Sequence, residues 1–224
     1  YQQRAAKKDL TPFLIQLAKE NCIDGGVLRA GDAVNFSIGQ GDTVITPLKQ
    51  AQIYSAIANG GTLWQPLVAK AIVKTDGTVI KTFTPQVDGK VEADPKTFAW
   101  LRDALHQVTI SGTAAGDFAG FPIHVSGKTG TGEVFGLNSN GTKKNSTSWF
   151  ASFAPTENPQ YAVVVMVSQG GTGAAAAGLG ARQIYNSIYG VFGNKQVAEK
   201  VIYPSGPPTK LPKISPTTKV EVVK

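Results

Sequence analysis

"HVSGKTGTGE", residues 124–133, places one lysine, Lys128, among three glycines and two threonines. Residues 121–131 alternate between apolar and polar, which predicts a β-strand. Glycine-rich segments around a lysine serve two kinds of chemistry: they bind phosphate, or they recognise a carboxylate next to an acyl-transfer centre. The spacing and the context of the glycines distinguish the two.

A phosphate-binding loop is excluded on both grounds. The motif G-x-x-x-x-G-K-[ST] would put a glycine where Pro122 stands, and the nearest earlier glycine, Gly120, is out of register. The motif also leads from a strand into a helix, whereas Thr131 is followed by another glycine and a polar loop. Acyl transfer is the hypothesis that remains.

Each residue of the Lys-Thr-Gly-Thr run suits an acyl-transfer site. Lys128 supplies positive charge, and the hydroxyls of Thr129 and Thr131 alternate onto one side of the strand, where they could hold a carboxylate. Gly130 has no side chain to obstruct an extended peptide that pairs with the strand. The backbone N–H of Thr131 is a candidate oxyanion donor. A purely structural hairpin strand, weakened by its glycines, remains an alternative.

The composition limits the function classes. The chain has 224 residues, a net charge of +7 and 42% hydrophobic residues, which fits one domain with an appendage. Its basic residues are scattered, so we predict no nucleic-acid binding. One cysteine and two histidines, His106 and His124, give no metal-ligand spacing. We expect no metal, no cofactor, structural roles for both histidines and no membrane span within the sequence.

Local signals predict several secondary-structure elements. A capping residue followed by proline predicts helices that begin at Pro12, Pro47 and Pro95. Asp76-Gly77 predicts a β-hairpin, and the sequence VDGKV at 87–91 predicts a further turn.

The second half of the chain predicts three strands in an antiparallel meander, because their short connections leave no room for a crossover. The strands are 121–131, 148–154 and 161–169, and the last is apolar enough to be fully buried. A helix follows, with a predicted buried face of Ala177, Ala181, Ile184 and Ile188. Residues 194–224 contain five prolines and scattered lysines. We therefore expect a domain over 1–193 and an extended Pro/Lys-rich tail over 194–224.

Four blocks occur in one order: "NFSIGQGDTVITPLKQAQIYSAIANGG", "TISGTAAG", "VSGKTGTGE" and "STSWFASFAPTENPQYAVVVMV". They resemble the transpeptidase domain of class B penicillin-binding proteins, in particular the elongation-type peptidoglycan D,D-transpeptidases of actinobacteria, over roughly residues 20–190. The resemblance implies an α/β (α+β) fold of the penicillin-binding protein and serine β-lactamase type, an antiparallel sheet flanked by helices. The family's sheet has more strands than this chain supplies, so we expect only the C-terminal part of the domain. Gly132-Glu133 stands where the family often has Ala-Gln.

The resemblance also implies a reaction. Such enzymes attack the terminal D-Ala–D-Ala of a peptidoglycan stem peptide with a serine, release D-alanine and transfer the acyl group to an amine of a neighbouring peptide. Penicillins and other β-lactams mimic that terminus and acylate the serine. Carried over to this chain, Lys128 and Thr131 are the catalytic residues, the latter through its backbone N–H, and Lys128, Thr129, Gly130 and Thr131 bind the substrate.

The nucleophile is not in this chain: no serine is followed by lysine in the Ser-x-x-Lys pattern, and none by asparagine in the Ser-x-Asn pattern. We expect an N-terminal portion of the same protein to supply both motifs as a second chain. The resemblance implies that this portion anchors the enzyme at the extracytoplasmic face of the cell membrane, with a membrane glycosyltransferase of the elongation machinery as a further partner. A serine β-lactamase or β-lactam sensor of the same fold, and a non-catalytic cell-wall scaffold, remain alternatives.

Overall fold

The computed structural model describes residues 11–24, 27, 30–41 and 44–196, so most of the predicted tail lies outside the described residues. The helices are α1 (Pro12–Asp24), α2 (Ala30–Ser37), α3 (Pro47–Asn59), α4 (Pro95–Ile110), α5 (Ala115–Phe118) and α6 (Leu179–Tyr189), with a π-helical turn at Ala174–Gly178 just before α6. The strands are β1 (Thr62–Trp64), β2 (Ala71–Val73), β3 (Val79–Thr82), β4 (Val87–Lys90), β5 (Ser126–Gly132), β6 (Thr147–Ala154), β7 (Tyr161–Val167), β8 (Val191–Phe192) and β9 (Lys195–Gln196).

The predicted helix starts at Pro12, Pro47 and Pro95 are confirmed. The Thr46 side chain accepts a hydrogen bond from the Lys49 N–H at 3.2 Å, which caps α3. Asp94 caps α4 in the same way, through the N–H two residues later. β2 and β3 form the hairpin that Asp76-Gly77 predicts.

The main sheet is the predicted antiparallel meander, in the order β5-β6-β7. β5 pairs with β6 along its whole length, from Ser126 opposite Phe153 to Gly132 opposite Thr147. Among the described residues β5 has no strand on its other side, so one backbone edge of β5 is open. β5 begins later than the predicted strand 121–131, because Phe121 and Val125 pack into the hydrophobic core and do not pair with β6.

Hydrophobic cores lie on both faces of this sheet. On one face Phe150 packs with α5, the π-helical turn and α6, and it and Tyr185 are fully buried. On the other face Ala151 and Phe153 pack against Tyr54 of α3. Full burial of a side chain such as Phe150 contributes about 2–3 kcal/mol. Because β6 is anchored from both faces, its neighbour β5 is held in a fixed position.

Two predictions about burial were wrong. β7 is not fully buried: Val163 is buried, but Met166 is 43% exposed, because β7 is an outer strand of the sheet. Ile184 does not belong to the buried face of its helix and is 42% exposed. The buried stripe turns to Tyr185 instead, whose hydroxyl lies 3.0 Å from Ser152 Oγ in the core.

The turn predicted at 87–91 is also wrong, because Val87–Lys90 is strand β4. It pairs antiparallel with β1, and Gly89 lies opposite Leu63. Asp88, which suggested a turn, accepts a hydrogen bond from the Gln52 side chain at 3.2 Å. Contacts with α3 and β1 therefore override the local turn signal.

Candidate active site

The open edge of β5 forms one wall of a cavity of about 570 Å³. The segments at 38–40 and 44–45 and helix α3 form the facing wall, and β6 contributes Trp149 and Ala151. β5 contributes Lys128, Thr129, Gly130, Thr131 and Gly132. The structure thus brings all four of the predicted site residues together in one cavity.

The four residues divide between the two faces of the sheet, as the strand period requires. Thr129 and Thr131 lie opposite Phe150 and Ser148, whereas Lys128 lies opposite Ala151. Side chains at paired positions share a face, so the two threonines project together, as predicted, and the lysine projects to the other face.

Lys128 is exposed, and its ammonium group stays close to the strand. Its Nζ donates to the Thr129 carbonyl at 3.0 Å and lies 3.4 Å from Thr129 Oγ1. Thr129 is held from a second direction, because its Oγ1 lies 2.7 Å from Thr113 Oγ1. The lysine charge and this pair of hydroxyls therefore form one continuous polar group, of which Lys128 and Thr129 line the cavity.

Thr131 is held on three sides. Its carbonyl accepts a hydrogen bond from Gln40 Nε2 at 2.8 Å, and its Oγ1 accepts one from the Gly173 N–H at 3.2 Å. Its third support is the pairing of its neighbours Gly130 and Gly132 with β6. Since Gln40 approaches from outside the sheet, the Thr131 carbonyl points into the cavity. The N–H of a strand residue points to the same edge as its carbonyl, so the Thr131 N–H faces the cavity too.

Ser148 supports the segment that reaches Thr131. It is fully buried, and its Oγ donates towards the carbonyls of Thr172 and Gly173, at 2.7 and 3.1 Å. The same oxygen accepts a hydrogen bond from the Ala177 N–H at 3.0 Å. One hydroxyl thus ties residues 172–173 and the π-helical turn to the sheet directly beneath Thr131.

The facing wall contributes a protonated phenol. Tyr54 lines the cavity, and burial raises the pKa of Tyr54 to about 12, so its hydroxyl is neutral at physiological pH. Among the described residues that line the cavity there is no serine, cysteine or histidine. This part of the chain therefore provides charge, hydroxyls and backbone donors, without a serine or cysteine nucleophile.

The two histidines lie together, away from the cavity. The rings of His106 and His124 have centroids 4.9 Å apart, and His124 Nδ1 pairs with Glu157. Burial and the neighbouring His124 lower the pKa of His106. The hydrogen bond from His124 lowers the pKa of Glu157. Across the described ranges no group of His, Cys, Asp and Glu is arranged to hold a metal ion.

Sequence reasoning missed three residues that hold the site: Gln40, Thr113 and Ser148. The first two lie in sequence blocks that carry the family resemblance, SIGQG and SGTAAG. The resemblance of these blocks to the family was the signal that could have identified Gln40 and Thr113, but it did not indicate which atoms the two side chains contact. Ser148 has only strand periodicity to mark it, and nothing local distinguishes it from other strand serines.

The comparisons with known proteins agree with this geometry. The model of the penicillin binding protein transpeptidase domain matches residues 23–190. The chain therefore belongs to the penicillin-binding protein transpeptidase family. The resemblance inferred from the sequence blocks and the predicted fold class are confirmed.

Particular relatives define its place within the family. The peptidoglycan D,D-transpeptidase PbpA of Mycolicibacterium smegmatis is 33% identical over 176 residues, which cover 76% of this chain and 33% of that protein. The ceftriaxone acyl-enzyme complex of penicillin-binding protein A from M. tuberculosis is 29% identical, with a TM-score of 0.59, and covers 68% of this chain and 34% of that one. Complexes of that protein with imipenem and penicillin G also match, with TM-scores of 0.56 and 0.54.

A chain of a peptidoglycan synthase complex that coordinates polymerization and crosslinking is 25% identical, with a TM-score of 0.63 over 80% of this chain and 29% of that one. The chain spans about a third or less of the length of these relatives. Within the part of the chain that the structure describes, every helix is too short or too polar to cross a membrane.

Proposed function

We propose that this chain is the C-terminal part of a peptidoglycan D,D-transpeptidase, a serine acyltransferase that cross-links stem peptides and is acylated by β-lactams. The observation that carries the proposal is the open edge of β5, where Lys128, Thr129 and Thr131 line one cavity and the Thr131 backbone points outward. Membership of the family supports it.

The proposed reaction assigns each group a step. A serine Oγ attacks the carbonyl carbon of the penultimate D-alanine, and the negative charge that develops on the oxygen is stabilised by the Thr131 N–H. The peptide bond breaks, D-alanine leaves with the proton lost by the serine, and an amine of a second stem peptide displaces the serine. Thr129 and Thr131 hold the terminal carboxylate through their hydroxyls, and Lys128 adds the opposite charge.

We assign the nucleophile to an N-terminal portion of the same protein. Ser-x-x-Lys and Ser-x-Asn are absent from this sequence, and the surface beside the cavity is unusually apolar. Helix α2 has no buried residue, and Phe36, Ile38 and Val44 are 63%, 72% and 94% exposed. An eight-residue helix is too short to be stable by itself in water. A polypeptide that covers α2 would stabilise it and bring the serine to the open side of the cavity.

The same proposal extends to location and partners. The substrate, D-Ala–D-Ala stem peptides, lies outside the cytoplasmic membrane, so the complete enzyme acts at the extracytoplasmic face, anchored through its N-terminal portion. A membrane glycosyltransferase of the elongation machinery is the proposed partner, because a synthase complex that couples polymerization to crosslinking contains a chain with this fold.

The test is the second-order rate of acylation by a fluorescent penicillin, measured on the full-length protein. Lys128→Ala should slow acylation by on the order of a hundred-fold, as expected for loss of a preorganised charge. Thr131→Val should cause a smaller loss, because its N–H remains. Thr131→Pro removes that N–H and should be worse than Val.

Lys143→Ala is the matched control, because Lys143 is exposed in the polar loop between β5 and β6. If Lys128→Ala and Thr131→Val were both acylated at the wild-type rate, β5 would have only a structural role. Rapid hydrolysis of the acyl-enzyme would instead indicate the β-lactamase alternative. A full-length protein that is never acylated would indicate a non-catalytic scaffold.

A further inference from the structure

Gln40 reaches across the cavity to the strand that would bind substrate. It follows α2, and its side chain donates from Nε2 to the Thr131 carbonyl at 2.8 Å. That distance is typical of the N–H···O=C bonds that join neighbouring β-strands. The Gln40 carboxamide thus takes the place that the backbone amide of an added strand would occupy.

An extended peptide adds to a sheet edge through successive main-chain hydrogen bonds. The backbone groups of Thr129 and Thr131 both face outward from β5. The Thr129 carbonyl already accepts a hydrogen bond from Lys128 Nζ, and Thr131 supplies one donor and one acceptor for that pairing. The donor is assigned to the oxyanion, so the carbonyl is the acceptor left for an amide N–H of the acyl-donor chain. In this structure that acceptor is already engaged.

The position of Thr131 does not depend on Gln40. β5 is paired with β6 at every position from Ser126 to Gly132, and Thr131 Oγ1 is separately held by the Gly173 N–H. The backbone of Gln40 is itself held, because its N–H donates to the Asn35 carbonyl at 2.9 Å. The side chain can therefore rotate away while the loop and the strand both stay in place.

We propose that Gln40 is a specificity-determining gate: its carboxamide is bonded to the Thr131 carbonyl and must be displaced by an amide N–H of the incoming acyl donor. The gate rests on the proposed transpeptidase function. It penalises each ligand that pairs with the Thr131 carbonyl, because the Gln40 bond must be broken first, and it spares ligands that leave that carbonyl alone. A ligand without that donor neither uses the carbonyl nor needs the side chain to move.

β-Lactams supply both kinds of ligand. Penicillin G and ceftriaxone carry an acylamino side chain with an N–H donor, whereas imipenem carries a hydroxyethyl group at the corresponding position. The experiment compares wild-type full-length protein with Gln40→Met, which keeps the length of the side chain and removes the donor. Second-order acylation rates are measured for penicillin G and imipenem on the same preparations.

We expect Gln40→Met to accelerate acylation by penicillin G roughly two- to ten-fold, the range for removing one competing neutral hydrogen bond. The imipenem rate should stay within about two-fold of wild type, so the ratio of the two rates rises. This ratio cancels any general change in folding or in the fraction of active protein. Gln40→Ala should give the same direction, and Gln107→Met, on the exposed side of α4, should leave the ratio unchanged.

Other outcomes overturn the gate. A slower reaction with penicillin G in Gln40→Met would make Gln40 a clamp that positions β5. An equal change for both drugs would make it a general structural residue. Either result leaves the transpeptidase proposal intact, because acylation still occurs. If the wild-type protein is not acylated by either drug, the proposed function fails, and the gate fails with it.

Discussion

A substitution at Gly173 tests whether the segment beside β5 holds Thr129 and Thr131, the threonines of the candidate site, in place. A Cβ on Gly173 would lie 2.8 Å from the backbone N and O of Gly130 and from Thr129 Cβ. These atoms belong to β5, which is paired with β6, so they cannot shift without disturbing the sheet. The backbone of Gly173 is right-handed helical, with φ −57° and ψ −39°, so Gly173→Ala adds a steric clash without conformational strain. Overpacking of this kind costs about 1–3 kcal/mol.

We expect thermal unfolding of full-length Gly173→Ala to show a destabilisation of about 2 kcal/mol, or roughly 4–8 °C for a domain of this size. Acylation by penicillin should slow as well, because the displaced segment withdraws the Gly173 N–H from Thr131 Oγ1. Gly116→Ala is the matched control: its Cβ meets nothing within 4 Å. A Gly173→Ala variant with the stability and acylation rate of Gly116→Ala would refute the close contact between this segment and β5.

Three further predictions concern stability. Ser148→Ala leaves the buried Ala177 N–H without its acceptor and should lower the free energy of unfolding by about 1–3 kcal/mol in urea titrations. Burial and, to a lesser extent, the neighbouring His124 lower the pKa of His106 in the folded protein. The stability that neutral His106 contributes is therefore complete above about pH 6.5, and it is lost as the pH falls through the lowered pKa. His106→Gln should flatten the melting temperature over that acid range, and an unchanged slope would contradict the assignment. The domain boundary at residue 193 stays a prediction. Because Arg182 donates a hydrogen bond to the Asn194 side chain at 2.5 Å, we place the truncation after residue 196 and expect it to leave the melting temperature unchanged. A large drop in the melting temperature would mean that the tail contributes to the fold.

Much of the fold could be predicted because its signals are local. A threonine or aspartate before a proline specifies a helix start through atoms only a few residues apart. The Asp76-Gly77 hairpin joins strands that are adjacent in sequence. The antiparallel pairing of β6 with β7 follows from a connection of residues 155–160, which is too short for a crossover. In each case the sequence neighbourhood contains all the groups that form the structure.

The failures involve partners far apart in the chain. Gln40 and Thr131 are 91 positions apart, and Ser148 and Gly173 are 25 apart. A polar side chain has no periodic signature that names its partner, so such contacts follow only from the assembled sheet. The VDGKV segment failed for the same reason, since its pairing with β1 and its bond to Gln52 come from outside the local sequence.

The contacts around β5 separate two tasks at the candidate site. The threonine hydroxyls are held by Thr113 and by the Gly173 segment, which is itself tied down by buried Ser148. Groups that must meet a carboxylate in one geometry are favoured by such rigid support. The outward carbonyl of Thr131 is held differently, by one rotatable side chain at the cavity. Rigid support for the proposed carboxylate site and a displaceable bond at the proposed peptide-pairing site together favour discrimination by the acyl chain, because only the Thr131 carbonyl has a competing donor that must be removed.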